Sequence, residues 1–258
     1  MLKIYTIAPV IETKVHKVAA YQAFLDRAFA DLPGVQVIGR MLKSGPSSIE
    51  NELDDALAVP GILEVGLAAQ ADGAHGVLID CMLDPGLKAL RTALDIPVMG
   101  TAEIGFRLAA ALGNKFGIVD VCDDTGPMVD AQVRTMGLGA QFAGVRGTGL
   151  GVEEVTQDET ATLLRLEEAA TLAIRQDGAD VLIFGCTEFS PFTDKLRQRL
   201  LSQRLDVPVI NPTVLAVGTL VAVVRAGLCH SKRAYPTPQE KKTLRGYAVP
   251  KFYQSSET

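Results

Sequence analysis

The chain contains no tryptophan, and its five tyrosines and nine phenylalanines make up only 5% of 258 residues. Its core is therefore expected to be aliphatic. It has four cysteines and three histidines. Cys81, Cys122, Cys186 and Cys229 lie far apart and form no C-x-x-C pair, so a zinc site or a disulfide framework fits poorly and reduced thiols are expected. The formal net charge of −5 leaves no excess of positive charge for nucleic acid. No apolar run reaches the roughly 18 residues that a membrane span requires. Residues Met1 to Tyr5 enter a strand directly, without a signal-peptide core, which leads to the expectation of a cytoplasmic protein.

What is present is said twice. Residues 72–81 read DGAHGVLIDC, and residues 177–186 read DGADVLIFGC. The offset is 105 at both ends (177 − 72 and 186 − 81). Each copy is a glycine turn, a short apolar run, and a cysteine where the run stops. Further on, each half carries an Asp-x-Pro-Val signal, at Asp95 to Val98 and at Asp206 to Val209. Lys3 to Ile7 also matches Lys115 to Val119, at an offset of 112 (115 − 3).

Short apolar runs alternate with helical patterns along the chain. Strands are expected at 4–8, 36–40, 76–79 and 98 in the first half, and at 116–121, 141–145, 181–184 and 207–210 in the second. Helices are expected at 14–30, 53–70, 85–94, 102–112, 126–136, 158–176, 191–205 and 214–226. The runs at 76–79 and 181–184 are continuously apolar, as in strands buried on both faces of a parallel sheet. The pattern predicts an α/β fold with two pseudo-symmetric flavodoxin-like lobes. Residues 1–100 and 211–235 would form the first lobe, 101–210 the second, and 236–258 a polar C-terminal tail.

Ligands of parallel sheets bind beyond the carboxyl ends of the strands. Cys81 and Cys186 stand at such ends, so two facing lobes would bring both thiols to one cleft. Facing thiols suit a reaction that takes a proton from one side of a carbon next to a carbonyl and returns one to the other. The strand-to-helix turns after each cysteine are expected to lower the thiol pKa. Pro85 would open the helix after Cys81, and Ser190 would cap the one after Cys186. An accessible, low-pKa thiol is then the mark that separates an enzyme from a binding protein of this fold. Asp120 is expected either to meet a donor group of the substrate or to cap the region 126–136. Cys122 reads as incidental or supporting. Cys229 reads as packing, His16 as a solvated helix face, and His75 as a surface residue. The glycines at 144, 147, 149 and 151 lack the placement of a phosphate loop.

The chain resembles the aspartate/glutamate racemase superfamily, and within it the hydantoin racemase family most closely. The resemblance rests on Gly45 to Glu50, Pro60 to Glu64, Cys81 to Leu87, Ile96 to Gly100 with Ala102 and Glu103, and Ser231 to Tyr235. It implies a cofactor-independent, two-lobed racemase, usually a homo-oligomer, with no metal and a small-molecule substrate. Cys81 and Cys186 would be its catalytic pair, and Pro9, Ser48, Met82, Leu83, Asp120, Val121, Thr187 and Glu188 its substrate contacts. Three segments depart from the hydantoin racemase pattern. Ile7 to Val10 is apolar where a polar Ile-Asn-Pro-Asn segment is usual. Gly185 to Phe189 looks like the aspartate/glutamate racemase motif. Asp120-Val121 stands where paired threonines are common. The expected function is racemisation or epimerisation of a hydantoin-like or amino-acid-derived molecule. The alternatives are an amino-acid racemase, a maleate isomerase-like enzyme and a non-catalytic small-molecule binding protein. An arylmalonate decarboxylase is disfavoured, because it needs only the second-lobe cysteine.

Overall fold

A computed structural model describes residues 1–239 of the chain. The expected tail therefore lies, from residue 240 onward, outside the described residues. Two four-stranded sheets form the framework. The first holds β1 (Leu2–Ile11), β2 (Val35–Leu42), β3 (Gly76–Ile79) and β4 (Val98–Gly100), in the order β2-β1-β3-β4. The second holds β5 (Phe116–Asp120), β6 (Phe142–Gly147), β7 (Val181–Phe184) and β8 (Val209–Ile210), in the order β6-β5-β7-β8. Every neighbouring pair is parallel. Among the described residues, eight α-helices complete the fold: α1 (Val18–Ala28), α2 (Glu52–Ala71), α3 (Leu87–Ala93), α4 (Thr101–Leu112), α5 (Gly126–Thr135), α6 (Glu159–Arg175), α7 (Thr193–Ser202) and α8 (Pro212–Arg225).

The repeat in the sequence is a repeat of hydrogen bonds. His75 N–H donates to Lys3 at 2.8 Å, and Asp180 N–H donates to Lys115 at 2.9 Å. Val77 N–H donates to Pro97, and Leu182 N–H to Pro208, both at 2.9 Å. Asp80 N–H donates to Ile7 at 2.8 Å, and Gly185 N–H to Val119 at 2.7 Å. Equivalent positions of each half therefore tie one central strand to both its neighbours and stop it at the same place.

The continuously apolar strands are buried on both faces. Val77 and Ile79 pack beneath α2 and α3 with Ile62 and Leu90. Leu78 turns to the other face, against Leu25 of α1 and Val217 and Leu220 of α8. In the second sheet, Leu182 and Phe184 pack on Leu166 and Leu196, while Val181 and Ile183 meet Phe106, Phe116 and Val129. Burying each such side chain contributes roughly 1.5–3 kcal/mol. Gly76 lets α8 approach, since a Cβ there would meet Leu220 at 3.0 Å and Val224 at 3.1 Å. Met82, from the first half, is buried in the second sheet's cluster with Ala102 and Phe106 and ties the two cores together.

The helix expected from residue 14 starts at Val18, and at two other helices the expected opening residue plays a different part. α3 begins at Leu87 behind the left-handed Gly86 (φ 67°), and Pro85 stays in the preceding turn. Residues Thr187–Phe192 form a 3-10 helix with Cys186 as its N-cap residue, so Ser190 lies inside this turn. Its hydroxyl pairs with Thr213 at 3.3 Å instead of capping α7.

Candidate active site

Four strands, two from each sheet, converge at one place. β1 brings Ala8 and Pro9, β3 leads into Asp80 and Cys81, β5 ends at Asp120 and Val121, and β7 leads into Gly185 and Cys186. These residues line a cavity of about 70 Å³, with Met82, Leu83, Thr187 and Glu188. A side chamber of about 250 Å³ adjoins it and shares Ala8, Val10, His16, Asp80, Thr187 and Glu188. Its remaining wall includes Val15, Tyr21, Phe24 and Met41, with the exposed Lys17 and Arg27 at the rim. Thr187 donates to the carbonyl of Asp80 at 3.3 Å, a hydrogen bond from the second lobe to the first across the cavity. Among the described residues, no group of three or more His, Cys, Asp or Glu side chains is arranged to hold a metal ion.

Each lobe sets one buried carboxylate beside its cysteine, but from a different strand. In the first lobe it is Asp80, 3% exposed, the residue before Cys81. It accepts from Tyr21 at 2.7 Å and Thr213 at 2.8 Å, and Thr101 stands at 3.4 Å. In the second lobe the matching position is Gly185, and the carboxylate comes from Asp120 at the end of β5, 2% exposed. A Cβ on Gly185 would lie 2.5 Å from the Asp120 carboxyl carbon, so Asp120 requires the glycine. Asp120 accepts from the backbone N–H of Val121 at 2.7 Å and from Thr125 at 2.6 Å. It therefore both faces the cavity and braces the turn that leads into α5.

Burial sets the charge state of the site. It raises Asp80 to about 6, against the donors Tyr21 and Thr213, which favour the ion. It also raises Asp120 and Glu188, and the His16 imidazole pulls Glu188 partly back. Asp84 is lifted by burial to about 7, although it accepts from the first backbone N–H groups of α4, Ala102 at 3.0 Å and Glu103 at 2.7 Å.

Both cavity thiols are pushed up, contrary to the expectation of lowered values. Burial is the main cause for each. Asp84, Asp55 and Asp80 add to it at Cys81, and Glu188 and Asp120 at Cys186. Backbone N–H groups of Leu83 and Glu188 act in the lowering direction, as the turn geometry predicts, but they are outweighed.

Of the positions expected to touch substrate, Pro9, Met82, Leu83, Asp120, Val121, Thr187 and Glu188 line the cavity with the two cysteines. Ser48 does not; its neighbour Ile49 does, and Ile49 also packs on the first-lobe core. Burying the larger apolar side chain is worth more than burying the hydroxyl. His16 is a second correction. It precedes α1 and is buried on the cavity wall instead of lying on a solvated helix face. Cys229 is a third: it is exposed, with its thiol 3.4 Å from the Asp95 carbonyl. Cys122 packs against the second-lobe core outside the cavity lining. His75 is exposed and accepts from the Lys3 N–H at 3.1 Å. Asp80, Tyr21 and Thr213 escape a sequence reading, because their partnership spans 59 and 133 residues.

The sequence model of the Asp/Glu/hydantoin racemase family matches residues 18–220. A hydantoin racemase from Pseudomonas sp. (strain NS671) is 31% identical over 208 residues, covering 80% of this chain and 82% of that protein. One from Paenarthrobacter aurescens is 33% identical over 202 residues, covering 78% and 84%. The solved allantoin racemase from Klebsiella pneumoniae superimposes with a TM-score of 0.85 at 26% identity, over 95% of this chain and 97% of that one. With its two parallel lobes, its matched cysteines and these relatives, the chain belongs to the Asp/Glu/hydantoin racemase family and is an isomerase of the racemase kind.

Proposed function

We propose that the chain racemises a hydantoin-like ring at the carbon next to a carbonyl, without a cofactor, using Cys81 and Cys186 as its acid–base pair. The reading rests on one observation: two partly buried thiols, one from each lobe, line the same cavity. In the reaction the Cα–H bond breaks, its proton passes to one thiolate, and the electron pair moves onto the carbonyl oxygen as an enolate. The opposite thiol then protonates the other face and is left as thiolate. The substrate class follows from charge. Among the described residues, the central cavity is lined by the carboxyl groups of Asp80, Asp120 and Glu188, and by no lysine or arginine side chain. A free amino acid would bring a fourth carboxylate into that field. A cyclic ureide carries the same carbon with its carboxyl group masked, and its ring N–H groups are donors for the carboxylates. The Cys186-Thr187-Glu188 segment favours an amino-acid racemase as the second reading, and the charge argument weighs against it.

The test is exchange of the α-proton in D₂O, followed by NMR, across 5-substituted hydantoins, allantoin, and free and N-carbamoyl amino acids, with optical rotation in parallel. Exchange and loss of rotation on ring compounds alone supports the reading. Exchange on free amino acids alone overturns the substrate class. Cys81→Ser and Cys186→Ser should each lose racemisation with the melting temperature kept. Wild-type rates in either variant would sink the two-thiol mechanism.

A further inference from the structure

The central cavity collects negative charge and offers little to balance it. Three carboxyl groups face it, and the proposed reaction adds a fourth negative centre, the enolate oxygen. Among the described residues lining that cavity, His16 is the one side chain that can carry a positive charge. The cationic groups of the side chamber, Lys17 and Arg27, are exposed at its rim.

His16 is also left unsatisfied by the protein. It is 7% exposed, and neither ring nitrogen has a hydrogen-bond partner among the described residues. Leaving a buried polar group unpaired costs about 1–3 kcal/mol, a cost relieved most by a charged acceptor such as an enolate oxygen. The loop between β1 and α1 holds the residue in place. Thr13 Oγ1 accepts from the N–H groups of Val15 at 3.1 Å and His16 at 3.0 Å, and the His16 carbonyl accepts from Thr13 N–H at 2.9 Å. Glu12 accepts from Val18 N–H at 2.9 Å where α1 begins. The backbone that carries His16 is thus held at both ends of its loop, and the residue lines both chambers.

We propose that His16 is a further catalytic residue, whose ring N–H donates a hydrogen bond to the substrate carbonyl oxygen as that oxygen becomes an enolate. The proposal rests on the two-thiol reading above. The imidazole keeps its proton throughout, since the proton traffic runs between the α-carbon and the two sulfurs. The hydrogen bond strengthens as charge builds on the oxygen, so its contribution falls on the transition state more than on binding.

The test compares wild type, His16→Ala and His16→Gln on a hydantoin that the wild type racemises. His16→Ala should lower kcat by about 10²–10³-fold, the scale set by losing one such donor, while KM changes by less than about threefold. His16→Gln, which keeps an N–H donor, should recover at least about tenfold over His16→Ala, and added imidazole should partly restore His16→Ala. Circular dichroism melts establish that the variants are folded. A folded His16→Ala with kcat near wild type overturns the proposal. So does a His16→Gln no better than His16→Ala together with no rescue by imidazole, because packing alone then accounts for the residue. An inert wild type overturns the two-thiol reading, and this proposal falls with it. An active wild type with an unaffected His16→Ala overturns this proposal alone.

Discussion

Replacing Tyr21 by Phe removes one oxygen and keeps the ring in place. That oxygen donates to Asp80 at 2.7 Å, and Asp80 is 3% exposed. A hydrogen bond to a charged group is worth about 1.5–3 kcal/mol, against about 0.5–1.5 for a neutral pair. The pH dependence follows from the sign of the Asp80 shift. An ordinary Asp titrates near pH 3.9, while burial raises Asp80 to about 6 in the folded protein. The folded state therefore binds this proton more tightly than the unfolded chain does. Ionising Asp80 then costs stability as pH rises from about 4 through about 6, in all about 3 kcal/mol. Removing the phenol leaves the ion with one donor fewer and lifts the folded pKa further. Tyr21→Phe should thus destabilise by about 1.5–3 kcal/mol at pH 8, a melting temperature lower by roughly 3–12 °C for a chain of this size. At pH 5, where Asp80 is protonated, the loss should fall to about half or less. Circular dichroism melts of both proteins at the two pH values decide the matter. A loss equal at both, or below about 0.5 kcal/mol at pH 8, would refute the reasoning.

Gly185→Ala brings a Cβ to 2.5 Å from the Asp120 carboxyl carbon, so it should destabilise by about 1–3 kcal/mol and cut racemisation more sharply than it cuts stability. Asp84→Ala frees the N–H groups of Ala102 and Glu103 that open α4; urea unfolding should show a loss of about 1–2 kcal/mol. Iodoacetamide at pH 7.5, read by peptide mass spectrometry, should label the exposed Cys229 before Cys81 or Cys186, whose thiols are pushed up. For the same reason kcat/KM, corrected for the enzyme-free rate, should climb close to tenfold per pH unit between 6.5 and 8.5; a plateau below pH 7.5 would mean that one resting thiol has a lowered pKa.

The strands were legible because each half states the same local rule. A glycine turn, a short apolar run and a stop fit a buried strand with a cysteine at its carboxyl end, and the constant offset pairs the two copies. Helix starts were less legible. Pro85 and Ser190 carry the right local chemistry for a first turn, yet Gly86 and the 3-10 helix Thr187–Phe192 take the turn first. Local signals of comparable strength compete there, and packing of Leu87, Phe189 and Phe192 decides between them.

The electrostatics of the site were the least legible part, and the repeat itself hides them. The halves coincide in backbone and cysteines but differ in where the charge enters. The offsets that align the lobes set Ala8 against Asp120 and Asp80 against Gly185, so the carboxylate moves from the second strand of the central pair to the first. Each thiol still gains an acidic neighbour from these positions, beside Asp84 and Asp55 at Cys81 and Glu188 at Cys186. A symmetric reading of the two cysteine segments sees Asp80 as a mismatch with Gly185, and Asp120 as a departure from the family's threonines. Only the sheet geometry makes the two departures counterparts of each other. The consequence is chemical. A thiol whose pKa is raised by burial and a carboxylate is seldom ionised, but the thiolate that does form is a stronger base toward a carbon acid. Lowered thiols would exchange that basicity for population. Carbon acids as weak as those next to a carbonyl reward basicity. In the proposed reaction the same acidic surroundings leave the enolate short of a donor, the role we assign to the imidazole of His16, which has no partner among the described residues.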